Sequence, residues 1–146
     1  MAAIRYEVNK PITADEFIDV LNRSTLGQRR PVDDRACIQG MLDHANLLVT
    51  AWADGVLIGV SRSVTDFHFC CYLSCLAVDE KFQHQGIGKE LIRRTQTQLG
   101  KRCMLLLLSA PAAVEYYPHI GFEHHTQAWI LKPGMTIQDN AGKGAP

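Results

Sequence analysis

Apolar and polar positions alternate from Ile4 to Val8, the period of a half-buried strand. Thr13 followed by Glu16 then makes a capping box, and Phe17, Ile18 and Leu21 recur on one face of the helix it opens. The polar stretch from Asn22 to Pro31, with Gly27, Arg29 and Arg30, reads as a loop before a second helix from about Val32 to His44. It is either a rim for a substrate or a solvated connection carrying two surface arginines. Two β-branched-rich runs, Leu47 to Ala53 and Val56 to Val60, flank Asp54-Gly55, a hairpin signal that makes strands two and three antiparallel neighbours. Arg62 to Asp66 reads as a polar connection, and Phe69 to Val78 is a nearly continuous apolar run of the kind that lies centrally in a sheet.

Helical spacing returns at Ile87, Leu91, Ile92, Thr95 and Leu99, with Gly100 placed as a C-terminal cap. Cys103 to Leu108 is a bare apolar run of strand length. A strand, helix, strand succession of this kind predicts a parallel pair with a right-handed crossover. Pro111 can open a further helix to about Tyr117, ended by Pro118 and Gly121. Phe122 to Leu131 alternates loosely and is expected as a last strand. The pattern predicts a mixed α/β fold in a single domain over residues 1–132, with 133–146, rich in Gly, Pro and polar residues, as a frayed tail.

The chain has 146 residues, enough to bury a core without staples. Its 15 basic and 15 acidic side chains cancel, which argues against nucleic acid or an anionic membrane as partner and for a small molecule or a protein. No apolar run is long enough to span a bilayer, and the first ten residues lack the apolar core of a secretory signal, so a cytoplasmic location is expected. The five cysteines, Cys37, Cys70, Cys71, Cys75 and Cys103, include no CxxC pair and are read as reduced; the last four fall in apolar runs as small hydrophobes.

Candidate chemistry begins at Gln83, His84, Gln85, Gly86, Ile87, Gly88 and Lys89, between the long apolar strand and the helix. A strand, short loop and helix N-terminus aim several amides and the positive end of the helix dipole at one point, where an anion such as a pyrophosphate would sit. Glycine at 86 and 88 suits the close approach and backbone angles of such a nest. Similar runs also close ordinary turns. The run lacks the Lys-Ser/Thr of a P-loop and the three-glycine spacing of a dinucleotide fold, which disfavours nucleotide hydrolysis.

This element order, with QHQGIG at 83–88 after CLAVDEKF and with VEYYPHIGF at 114–122, resembles the GCN5-related N-acetyltransferase (GNAT) superfamily over nearly the whole chain. Gln83, Gly86 and Gly88 meet the fixed positions of the family's cradle pattern; Ala113, Tyr116, Tyr117, Gly121 and Phe122 meet its second signature. The resemblance implies the acyl-CoA N-acyltransferase fold, with antiparallel N-terminal strands and a splayed parallel pair at the central strands. It implies acetyl-coenzyme A as donor, its pyrophosphate on the amides from Gln83 to Lys89. Its pantetheine arm would lie along Leu76, Ala77 and Val78 at a bulged strand, where an amide-bearing ligand satisfies unpaired backbone groups. Tyr117 matches the tyrosine that protonates the departing thiolate in many members. A small amine is the first expectation for the acceptor and a protein lysine or N-terminal amine the second, by direct attack without a covalent enzyme intermediate. Homodimers are common in the family and one is expected here.

The chain departs from the family pattern in two places. Ala110 stands where many members have an asparagine for the pantetheine, a role left to Ser109, and Cys75 stands where an acidic residue is common. The base is therefore unassigned among Asp66, His68, Glu115, His119 and a relay of ordered water. Two rivals follow: a coenzyme A-binding module without catalysis, and acyl transfer through Cys75, disfavoured for a thiol in so apolar a run. His124 and His125, adjacent on an expected strand, point to opposite faces, so no metal is expected. His84 adds a phosphate donor or is simply exposed, and Lys81 and Lys89 flank the phosphates or are solvated. Tyr116, Trp52 and Trp129 are expected in or at the rim of the core, with Trp129 otherwise lining an acceptor pocket or a subunit contact.

Overall fold

A computed structural model describes residues 3–139. Five strands form one sheet in the order β1-β2-β3-β4-β5: β1 (Ile4–Val8), β2 (Leu47–Ala53), β3 (Val56–Thr65), β4 (Cys70–Val78) and β5 (Met104–Leu106). The first four are antiparallel and β4 pairs β5 in parallel. This is the mixed α/β architecture expected.

Helix α1 (Ala14–Arg23) starts at the Thr13–Glu16 capping box, with both reciprocal hydrogen bonds present. The segment expected as loop holds a 3-10 turn (Thr25–Arg29), and α2 (Arg35–Asp43) begins three residues later than the pattern suggested, because Asp34 caps it by accepting from the Cys37 amide. Phe17, Val20, Leu21 and Ile38 of these helices bury one face of the sheet with Trp52, Val60, Cys75 and Ala77. Helix α3 (Ile87–Thr97) covers the other face through Ile87 and Leu91 against Val49, Ala51 and Ile58. Gly59 permits this approach: a Cβ there would lie 3.1 Å from Leu91 Cδ1. Buried hydroxyls of Ser61 and Thr95, 2.8 Å apart, tie β3 to α3.

Asp54 and Gly55 both have positive φ, +49° and +77°, the backbone of a type I′ turn. The strand that follows is longer than its apolar run. β3 continues through Thr65, and Arg62 to Thr65, expected as a connection, pair with β4 instead. Hydrogen bonding and burial against a neighbour across the sheet override the polar character of those residues. Cys70 and Cys37 are exposed, whereas Cys71 and Cys75 are buried and Cys103 half-buried.

The chain falls into two compact units, one up to Val114 and one from Glu115. In the second, α4 is a single turn, Tyr116–His119, with Pro118 inside it rather than at its end. The expected last strand over Phe122–Leu131 is absent among the described residues, and Trp129, at 95% exposure, is outside any core; a loose alternation carries no strand without a paired neighbour. Of the expected tail, residues 133–139 carry a turn closed by the Met135 amide on the Lys132 carbonyl, and 140–146 lie outside the described residues. No helix among the described residues is long and apolar enough to cross a membrane.

Candidate active site

Strand β4 sets the site. Its parallel pairing with β5 covers only Cys70–Tyr72 against Met104–Leu106, and past Tyr72 it runs on for six residues with no strand on that side among the described residues. A bulge falls within this length: Ser63 faces Leu73 and Arg62 faces Cys75, leaving Ser74 over. Leu76, Ala77 and Val78 hold β4 to β3 through Ser61, Val60 and Gly59, so their opposite edge is open to an added ligand.

At the end of β4 the chain turns through Asp79, whose carboxylate accepts from the Lys81 amide and ion-pairs with Arg23 of α1. Arg23 also donates to the Leu57 carbonyl at 2.6 Å. The 3-10 turn Glu80–Phe82 leads to Gln83, whose side-chain amide folds back to the Val78 carbonyl at 3.0 Å. His84 and Gly86 both take positive φ, +64° and +82°. Gly86 is the N-cap of α3, and no side chain caps the helix. The first-turn amides of Ile87, Gly88 and Lys89 thus lack an intrahelical partner and, with the dipole, make an anion site. A Cβ at Gly86 would meet nothing within 4 Å, so glycine is required there by its backbone angle and not by crowding from the protein. Ile87 is buried in the core and roots the loop, while Lys89 and His84 are exposed.

Ser109 is half-buried in the segment after β5, next to Ala110, which opens the 3-10 turn Pro111–Ala113. In the second unit, Tyr117 is half-buried on α4, edge-on to Tyr116 and Phe122 at ring separations of 5.3 and 5.4 Å. Burial raises its phenol above the ordinary value, with the Tyr116 hydroxyl adding to the shift, so it stays protonated at neutral pH. Tyr116, expected in the core, is exposed.

Among the four candidate bases Asp66 is a poor one. Its Oδ1 accepts from the amides of His68, Phe69 and Cys70 at 2.8–3.0 Å, which holds its carboxyl at about 2 against an ordinary 3.8. Its role is to close the turn between β3 and β4. His68, Glu115 and His119 are exposed. Cys75, fully buried, is placed to accept from guanidiniums rather than to reach a thioester, and burial raises the Cys71 thiol. His125 accepts from the Gln127 amide, and no group of three or more metal-ligating side chains occurs among the described residues.

Sequence reading missed Arg30 and Arg62 as a pair. Arg30 donates to Cys75 Sγ at 3.2 Å and to the Ser74 carbonyl at 2.5 Å; Arg62 donates to the Met41 carbonyl, Ser74 Oγ and Cys75 Sγ. Only an arginine within an apolar run, VLIGVSRSV, hinted at it.

A sequence model described as an acetyltransferase (GNAT) domain matches residues 25–138. A histone acetyltransferase of Glycine max is 35% identical over 69 residues, 46% of this chain and 30% of that protein. A chloroplastic GCN5-related N-acetyltransferase of Arabidopsis thaliana is 32% identical over 69 residues, 46% of this chain and 27% of that protein. The match thus spans less than a third of the length of these curated relatives. Among solved structures, a putative acetyltransferase from Deinococcus radiodurans superposes with a TM-score of 0.71 at 25% identity, covering 89% of this chain and 88% of that one. An aminoglycoside N-acetyltransferase in complex with CoA gives 0.69 at 19% identity over 90% and 95% of the two chains, a likeness of fold.

Proposed function

The chain belongs to the GNAT acetyltransferase family, and on that premise we propose that it is an N-acetyltransferase moving acetyl from acetyl-coenzyme A to a primary amine by direct attack. The observation that carries this reading is the continuity of two open features: the unpaired length of β4 runs straight into a helix N-terminus with no capping side chain. One accepts an extended amide-bearing arm and the other a pyrophosphate. The residues present fit acetyl-coenzyme A, since Gly86 leaves space beside the first-turn amides and the β4 edge has no strand to displace.

When bound, acetyl-coenzyme A supplies an acetyl group activated as a thioester. The residues divide the remaining work. Leu76, Ala77 and Val78 orient the donor through their free edge, with Ser109 taking the part of the family's asparagine. His84, Gln85, Gly86, Ile87, Gly88 and Lys89 hold the phosphates, and Gln83 fixes the end of β4 through the Val78 carbonyl. A backbone amide near Val78 polarises the thioester carbonyl. Tyr117, kept protonated at neutral pH by burial, gives a proton to the leaving thiolate. The amine, protonated in water near pKa ~10.4 if it resembles lysine, loses its proton to ordered water or to His68, Glu115 or His119. A small amine is the preferred acceptor and a protein amine the second.

Thiol release from acetyl-coenzyme A with a panel of amines tests this. Amine-dependent release supports it; a rise in melting temperature with acetyl-coenzyme A and no release with any amine identifies a binding module instead.

A further inference from the structure

Two guanidiniums converge on the bulge of β4 without a carboxylate. Arg62, on the middle of β3, is 6% exposed, and its Nε has no hydrogen-bond partner. Arg30 reaches the same spot from the segment between α1 and α2 and is half-buried. Every acceptor they use is a carbonyl, a hydroxyl or a sulfur: Met41, Arg29 and Ser74 carbonyls, Ser74 Oγ and Cys75 Sγ. The ion pairs among the described residues engage Arg5, Arg23, Arg35, Arg93 and Arg94, and neither Arg30 nor Arg62 is in one. A buried cation with neutral acceptors is costly, and an arriving anion removes that cost.

We infer that the acceptor amine carries a carboxylate, bound by Arg30 with Arg62 behind it. This rests on the proposed acetyl transfer and names its substrate class: a small amino acid rather than a neutral amine. Three of Arg30's five N–H groups are engaged, on Cys75, Arg29 and Ser74, which leaves one on each Nη for a carboxylate. The position is suitable for an acceptor, because Ser74 stands within the length of β4 that has left β5, where the donor is proposed to lie. Cys75 matters by what it is not. An acidic side chain there would neutralise both guanidiniums from within the protein, whereas a sulfur leaves their charge for a ligand.

The test uses matched acceptors: an amino acid, its carboxamide and its decarboxylated amine. Thiol release should favour the acid over the carboxamide by about ten- to a hundredfold in KM, the value of a charge-assisted hydrogen-bond pair. In Arg30→Gln that preference should collapse. A second readout needs no turnover: melting temperature without acetyl-coenzyme A should rise with the acid and not with the carboxamide, and the rise should vanish in Arg30→Gln. Arg62→Lys, which keeps the charge, should retain part of the preference. Equal binding and turnover of all three acceptors, or acid preference intact in Arg30→Gln, overturns the inference. A carboxylate-dependent melting shift with no thiol release from any amine would instead sink acetyl transfer and leave the anion site standing.

Discussion

Arg23, in the last turn of α1, is ion-paired with Asp79, the residue that follows β4. The pair joins an N-terminal helix to the first residue of the loop that leads into α3, across 56 positions of sequence. Asp79 is buried and its other oxygen orders the Lys81 amide, so the loop's entry is fixed by a partner outside the loop. Removing the guanidinium leaves a buried carboxylate uncompensated. Arg23→Ala should therefore lose about 3 kcal/mol of stability, the lower end for a broken buried pair because Arg23 is partly exposed. Urea unfolding measures this, and acetyl-coenzyme A affinity should fall with it.

Gly86→Ala isolates a backbone effect. The added methyl has open space around it, but φ of +82° is left-handed and costs an alanine about 1–2 kcal/mol. Gly86→Asn should lose less and Gly86→Val more. An unchanged melting temperature and acetyl-coenzyme A affinity for all three would show that the angle is not needed.

Tyr117→Phe should slow turnover by roughly 10² to 10⁴ while acetyl-coenzyme A binding stays within about twofold, since general-acid help is lost and packing is kept. Burial raises the phenol above its ordinary value, so any fall in rate from its ionisation should come at higher pH than it would for a free tyrosine. The stability sign is the same: the contribution is present below the ordinary value and disappears as pH rises through the raised one. A rate unaltered in Tyr117→Phe with good acceptors would remove the acid role.

Asp66 behaves oppositely. Its carboxyl is lowered from 3.8 to about 2 by three amides, so the stability it contributes is present above about pH 4 and is lost as pH falls toward 2. Asp66→Ala should flatten that part of the stability profile, read by urea unfolding at each pH, and leave turnover at neutral pH little changed.

How much of this was legible depended on how local the cause was. The Asp54-Gly55 turn and the Thr13–Glu16 box were readable because each is decided within four residues. The cradle was readable because strand, glycine and helix adjoin. Arg62 looks like part of a polar connection in the sequence because what buries it, Met41, Ser74 and Cys75, lies 12 to 21 positions away. The same distance hid Arg30, 45 positions from Cys75, and Arg23, whose partner is 56 away. Trp129 failed in the other direction: an apolar, alternating stretch suggested burial, and the described structure gives it no strand to join.

Ser74 has one more effect. Before it, Leu73 faces the same side of the sheet as Ser61 and Ser63, toward α3; after it, Cys75 and Ala77 face α1 and α2. Odd-numbered residues change sides at that point, so β4 carries a single switch of parity. Deleting Ser74 would leave a regular ladder in which Leu73 and Cys75 are neighbours and every downstream residue keeps its face, so the loss would be the bend of the bulge, the carbonyl that Arg30 uses and the hydroxyl that Arg62 uses. Ser74 is thus one residue added to the strand that gives both arginines an acceptor without turning over the strand end from which the glycine loop departs.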